Sequence, residues 1–322
     1  MSIGLCLVGY GAMAQFHAEI FRAEGVILRS VVGRLPEETK RFAADFGFRH
    51  HTTELEAALA DDDVSIIVIA SPNSLHYEQV MQSLLAGKHV LVEIPLAMSY
   101  ADGVQLVDLA RRQGCMLMVC HSQRFIPSLA MLRKRVAAGS LQVYHLMGRH
   151  GTFRRENVGW TGRQRSWTDN ILWHHGCHLV DFSMWFLGAN QVEVVGQVAK
   201  PDLRTGIPQD LDIMLRTPND QLVSLSLSYH THLSLDEYLI VGEEESLRFE
   251  HGRLIGPDGL IDDPSEVGLS HDRLSWEAQN REFLTALREC RPPEANGADV
   301  LPALAVLQEI QDRFLGPTGV ES

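Results

Sequence analysis

Short aliphatic runs alternate with longer amphipathic stretches through the first third of the chain. IGLCLVG (3–9), VILRSVVG (26–33), VSIIVIA (64–70), HVLVEI (89–94) and CMLMVC (115–120) are apolar almost throughout, as expected of strands buried on both faces of a parallel sheet. Between them, apolar positions recur at helical spacing over 12–23, 36–46, 74–86 and 99–113, with Ser99 as the cap of the last. Strand and helix repeated in this order predict a doubly wound α/β domain over residues 1–121.

Beyond residue 122 the period changes. A helix is predicted over 127–138, followed by a strand at LQVYHLMG (141–148). From 191 to 256 apolar and polar residues alternate, most clearly in DLDIMLR and QLVSLSLSY, with turn signals at TPND and HGR. This pattern predicts an open, mainly antiparallel sheet with one polar face. GPDGLIDDPSE (256–266) is the most loop-like segment, and helical spacing returns near 270–290 and 298–315. The second domain, 122–322, is therefore expected to be α+β.

Composition narrows the partners. No run approaches the roughly 18 uninterrupted apolar residues of a membrane span, and the start MSIGLCLVGYGAMAQ lacks a signal peptide's basic end; a cytoplasmic location is expected. The five cysteines are scattered without a CxxC pair and are expected as free thiols. With 28 basic against 41 acidic residues the net charge is -13, which repels nucleic acid and anionic membranes, so neither is expected as a partner. An anionic ligand needs a local basic pocket. The segment from Arg149 to Thr168 holds one candidate, since Arg149, Arg154, Arg155, Arg163 and Arg165 face the single acid Glu156.

VGYGAMA places Gly9, Gly11, Ala12, Met13 and Ala14 at the turn from the first strand into the first helix. In that position a GxGxxA pattern carries a mechanism. Gly9 permits the tight turn, Gly11 lets the backbone approach a pyrophosphate, and the free N–H groups of the helix N-terminus favour its charge. About 20 positions on, where a carboxylate would bind a ribose 2'-hydroxyl, the sequence has Gly33 followed by Arg34. Nothing there repels a 2'-phosphate and a guanidinium can pair with one, so NADP is the expected cofactor, with NAD as the alternative.

SWTDNILWHHGCHLVD (166–181) sets histidines and an aspartate among aliphatic and aromatic residues. Thr168, Asp169 and Asn170 are all suitable caps, and 171–187 reads as one helix ending at Gly188. At roughly 100° per residue, His178 falls about 40° and Asp181 about -20° from His174, a narrow polar stripe on an otherwise apolar helix. Three roles fit the stripe: buried histidines with internal partners, a metal site built on the i and i+4 pair, or an acid–base face. Moving a hydride to a nicotinamide needs no metal, so none is expected. Imidazole is suited to take the hydroxyl proton at neutral pH, which makes His178 and His174 the candidate bases and Asp181 the group that fixes the tautomer.

GYGAMA, ASPNSLHYEQV (70–80), VEIP (92–95) and HSQRFIPS (121–128) together resemble the Gfo/Idh/MocA family of NAD(P)-dependent oxidoreductases. The resemblance implies an N-terminal Rossmann domain, a C-terminal open sheet, and a homodimer or homotetramer formed through that sheet. It places Ser71, Pro72, Asn73, His76, Glu93 and Pro95 beside the cofactor. The family pattern EKP is here Glu93, Ile94, Pro95, without its lysine, and DxGxH is here His174, Gly176, His178, with histidine for the aspartate. These departures, with TFRREN and RSWTDNILWHHGCHLVD, resemble one branch of the family. It oxidises the cyclic hemiacetal of an aromatic ring-cleavage product to 2-pyrone-4,6-dicarboxylate with NADP. The branch implies a small dicarboxylate substrate and makes Arg124, Arg154, Arg155 and Arg165 its candidate ligands, ahead of Arg149 and Arg163. A sugar or cyclitol dehydrogenase and a non-catalytic NADP-binding sensor are the competing readings.

Overall fold

The computed structural model describes residues 3–156, 158, 171–267 and 270–315. Arg163, Arg165 and the cap candidates Thr168, Asp169 and Asn170 lie outside them. The chain forms two compact units, Met1–Cys120 with Trp276–Leu301, and His121–Ser275 with Pro302–Ser322.

The first unit holds strands β1 (Gly4–Val8), β2 (Ile27–Val32), β3 (His50–Thr52), β4 (Ile66–Ile69), β5 (His89–Val92) and β6 (Leu117–Val119). They form one sheet in the order β3-β2-β1-β4-β5-β6, parallel throughout. This is the doubly wound Rossmann arrangement, with its reversal of winding between β1 and β4. Helices α1 (Ala12–Ala23), α2 (Pro36–Phe46), α3 (Leu55–Leu59), α4 (His76–Leu85) and α5 (Tyr100–Gln113) make the crossovers. Local chemistry sets their ends. The Ser99 hydroxyl accepts from Asp102 N–H at 3.1 Å to open α5, and α2 starts with proline and stops at Gly47 in the left-handed region. Val8, Ile67, Ile69, Val90 and Val92 are buried in one apolar cluster that explains the continuous hydrophobicity of these runs.

Residues 276–301 were expected in the second domain, but they pack in the first unit. Val119 N–H donates to Ala295 O at 3.0 Å, Met118 bridges to Asn296, and Val300 lies in the apolar cluster with the strands. Local periodicity cannot report that a late segment returns to an early sheet.

The second unit is built on β7 (Val143–Gly151), β8 (Glu193–Val198), β9 (Asp210–Arg216), β10 (Leu222–Ser228), β11 (Leu235–Gly242), β12 (Ser246–Glu250), β13 (Arg253–Gly256) and β14 (Gly259–Asp262). Their order is β14-β13-β12-β11-β7-β10-β9-β8. Every neighbouring pair is antiparallel except β7 with β10. β14 corrects the expectation of a loop over 256–266. It is only four residues long and mostly exposed, and its two apolar residues, Leu260 and Ile261, are adjacent, so no apolar alternation marked it. Helices α6 (Pro127–Ala137), α7 (Cys177–Leu187), α8 (His271–Glu289) and α9 (Gly297–Phe314) complete the chain; α8 and α9 each run from one unit into the other. α7 is buried along nearly its whole length, and Phe182 packs 4.4 Å from the Tyr238 ring of β11. Each such side chain contributes on the order of 1.5–3 kcal/mol by leaving water. All five cysteines are free. No described helix is long and apolar enough to cross a membrane.

Candidate active site

Backbone shape dominates the first unit's candidate residues. Gly9 has φ 114°, and a Cβ there would meet Ala70 O at 2.4 Å, so the turn out of β1 tolerates only glycine. Gly11 precedes α1 and faces open space, as required for a pyrophosphate to approach the N–H groups of Ala12, Met13 and Ala14. Gly33 is excluded from bearing a side chain for a different reason. A Cβ would lie 2.4 Å from both the Tyr10 ring and Thr39 Oγ1. The carboxylate expected of a ribose-binding position is therefore sterically barred, while Arg34 beside it is exposed. These residues fit a dinucleotide, and they leave room for a 2'-phosphate.

The strand ends carry the remaining cofactor candidates. His76 is 1% exposed and its Nδ1 and Nε2 lie 2.7 Å from Pro95 O and 3.0 Å from Ser71 O. Burial lowers its pKa against the pull of those two carbonyls and of Glu93. A neutral ring donates from Nδ1, the shorter contact, and His76 thus ties the loop after β4 to the Ile94–Pro95 segment, whose peptide bond is cis. Ser71 donates to Gln79 Oε1 at 2.5 Å; Pro72 leads into a single tight turn at Asn73–Leu75. Glu93 accepts from His17 Nε2 at 2.9 Å.

The histidine segment departs from the regular helix expected of it. Leu172–Gly176 forms a π-helical turn before α7 begins at Cys177, with Gly176 N–H donating to Ile171 O, five residues back, at 2.9 Å. Such a turn rotates every preceding side chain away from its place on a uniform wheel, and π-turns concentrate at functional sites. Here it brings His175, which the wheel left out, into the group. The His174 and His175 rings are 4.1 Å apart, His175 stacks on His150 of β7 at 3.9 Å, and His178 meets His121 edge-on at 6.2 Å. Tyr229 joins the group: its hydroxyl is 2.7 Å from His175 Nδ1, and the Arg154 guanidinium lies over its ring at 5.3 Å. Burial, then the neighbouring His174, His150, His178 and Arg154, hold His175 well below the usual imidazole pKa. Burial likewise brings His150 down to about 4. Both are neutral at pH 7, and burial makes their protonation costly.

Asp181 and Arg124 are paired with each other. Asp181 Oδ2 and Oδ1 accept from Arg124 Nε and Nη2 at 2.8 and 2.6 Å, with His121 Nδ1 3.2 Å from Oδ2. Burial alone would raise the carboxyl pKa, but Arg124 and His121 outweigh it and hold it low. Asp181 thus neutralises Arg124, which is 3% exposed, and His178 also acts on the Asp181 carboxyl through its charge. The local motif of Arg124 could not reveal a partner 57 positions away. Arg154 remains beside the imidazoles; Arg155 is exposed and lies over Phe153 at 4.8 Å. Arg149 is paired with Glu237. Arg165 lies outside the described residues. Sequence reasoning missed His121, His150, His175 and Tyr229; only the polar tip of HSQRF and the tyrosine closing LSLSY hinted at them.

Comparison with known proteins identifies the family. Residues 3–121 match the oxidoreductase family with an NAD-binding Rossmann fold, and residues 127–241 match the C-terminal domain of bacterial oxidoreductases. The chain is 33% identical, over 95% of its length, to the 4-carboxy-2-hydroxymuconate-6-semialdehyde dehydrogenase of a Sphingobium species, of which it covers 97%. It is 22% identical to the levoglucosan dehydrogenase of Pseudarthrobacter phenanthrenivorans over 95% of this chain and 85% of that one. A levoglucosan dehydrogenase solved with NADH and levoglucosan shares the fold, with a TM-score of 0.85 at 18% identity and 97% of each chain covered. With both domains matched in order and a third of all positions shared with one full-length relative, the chain belongs to the Gfo/Idh/MocA family and is an NAD(P)-dependent oxidoreductase.

Proposed function

We propose that the protein oxidises the cyclic hemiacetal of 4-carboxy-2-hydroxymuconate-6-semialdehyde to 2-pyrone-4,6-dicarboxylate, with NADP as the preferred acceptor. The observation that carries this reading is the group of imidazoles around Tyr229 with Arg154 over its ring. It combines proton acceptors with a cation for a carboxylate, and the relative at 33% identity is named for this substrate.

Oxidation breaks two bonds at the hemiacetal: the C–H bond leaves as hydride and the O–H bond as a proton, giving the lactone carbonyl. When bound at Gly9 to Ala14, Gly33 and Arg34, the dinucleotide supplies the hydride acceptor, with Ser71, Pro72, Asn73, Glu93 and Pro95 shaping its nicotinamide end. His178 takes the hydroxyl proton and His174 orients it or relays the proton onward. Arg154, with Arg155 and Arg165, holds the carboxylates, for which a guanidinium fork is better matched than an ammonium. General base catalysis of this kind contributes roughly 10² to 10⁴ in rate.

The test is a substrate panel of this hemiacetal, inositols and levoglucosan, each with NADP and with NAD, followed at the absorbance of reduced nicotinamide. Turnover confined to the hemiacetal is the expected result. Turnover of sugars or cyclitols alone would replace the substrate, and cofactor binding with no turnover of any would favour a sensor. Self-association through the second sheet has a surface to act on: Val195, Met214 and Leu239 are exposed and share one row across the strands. Light scattering of the purified chain measures the copy number.

A further inference from the structure

A second cluster of chemistry-bearing side chains lies in the first unit, and the oxidation described above does not use it as a group. His17 projects from α1, Glu93 follows β5, and Cys120 follows β6. Because β5 and β6 are neighbours in the sheet, Glu93 and Cys120 are brought to the same end, and Cys120 N–H donates to Val92 O at 2.8 Å. One ligand atom from each of His17, Glu93 and Cys120 lies within 4.8 Å of the other two. We propose that these three residues bind one borderline-soft divalent cation of the zinc type.

The donor set is the first argument. An imidazole nitrogen, a carboxylate oxygen and a thiolate suit zinc and its tetrahedral substitutes, with a fourth position left to water. Around a tetrahedral ion with bonds of about 2.0–2.3 Å the ligand atoms stand roughly 3.3–3.8 Å apart, a spacing side-chain rotation can reach from here. Charge is the second argument. A divalent cation with one carboxylate and one thiolate is neutral, which suits a place where His17 and Cys120 are each 2% exposed. On binding, the Cys120 S–H proton leaves to solvent and the sulfur–metal bond forms, with no change of oxidation state.

The third argument comes from α8. Asn280 is fully buried and its Nδ2 lies 3.0 Å from His17 Nδ1, while its Oδ1 has no hydrogen-bond partner. In this orientation His17 accepts at Nδ1 and carries its proton on Nε2, which donates to Glu93. Half a turn of the Asn280 amide puts the unpartnered Oδ1 on a protonated Nδ1 and turns the Nε2 lone pair toward Glu93 and Cys120. A ligating histidine commonly donates its other ring N–H to a carbonyl in this manner. Gln279, also buried, sits beside the Cys120 thiol, and its Oε1 likewise has no hydrogen-bond partner.

The experiment is a titration of chelator-treated full-length protein with cobalt(II). One equivalent is expected to produce a thiolate-to-cobalt charge-transfer band in the near ultraviolet and the visible bands of a tetrahedral ion, both displaced by zinc. Cys120→Ser removes the charge-transfer band, and Asn280→Ala weakens cobalt binding by about 10- to 100-fold, the usual cost of losing an outer partner. Cys115→Ser and Cys290→Ser leave the spectrum unchanged. NADP binding followed by fluorescence confirms that each variant is folded. A wild-type protein that shows no sulfur-to-metal band at micromolar cobalt, or a band that survives Cys120→Ser, overturns the proposal.

Discussion

The candidate sites of the two units are built by different physical means. At the dinucleotide loop the determining residues are glycines, and what matters is the absence of atoms: Gly9 and Gly33 stand where any Cβ would strike Ala70 or Tyr10. Around Tyr229 the determining residues are large and titratable, and they arrive from β7, the π-turn, α7 and the segment after β10. The first arrangement is local in sequence; the second is assembled from distant pieces. Substitutions in the first should therefore change binding and packing, and substitutions in the second should change turnover and its response to pH.

The largest expected effect is on turnover. His178→Ala should lower kcat by about 10² to 10⁴ while NADP affinity, measured by fluorescence titration, stays within a factor of two or so. Equal losses in both would erase the contrast between the units. Arg124→Met should destabilise the second unit by about 3–5 kcal/mol, because it leaves the Asp181 carboxylate buried without its main counter-charge. Urea unfolding measures it, and paired substitution of Arg124→Met with Asp181→Leu should recover much of the loss. Arg34→Ala should weaken NADP by roughly 10- to 100-fold, the worth of a charged hydrogen bond of about 1.5–3 kcal/mol, and leave NAD binding unchanged. Gly33→Ala should cost about 1–3 kcal/mol by overpacking against Tyr10 and Thr39, read as a lower thermal midpoint.

The remaining effect is on pH. His150 is held at about 4 in the folded chain against about 6.5 when unfolded. The unfolded chain then takes the proton first, and stability falls as pH drops from 6.5 toward 4. Thermal midpoints across that range should decline, and His150→Gln should flatten the decline.

The sequence made the first unit's core legible because its strands are continuously apolar and its helices carry their own stop signals, Ser99 and Gly47 among them. It did not disclose β3, whose residues are His50, His51 and Thr52, since a short polar edge strand has neither alternation nor hydrophobic bulk. In the second unit the stripe of His174, His178 and Asp181 marked the helix of the candidate site, but a uniform wheel cannot anticipate a π-turn, so His175 went unassigned. Nor can local spacing show that Asp181 faces Arg124 or that His150 stacks on His175, because both contacts are products of tertiary packing.

The separation of 263 positions from His17 to Asn280 bears on how the polypeptide is made. A ribosome has nearly finished the message before the segment that seals β6 emerges, so the amino-terminal third waits with an open seam while the intervening sheet folds. A gene fragment ending near codon 120 should therefore yield protease-sensitive, aggregation-prone material. Chimeras that borrow this unit for another dehydrogenase have to carry both stretches of coding sequence.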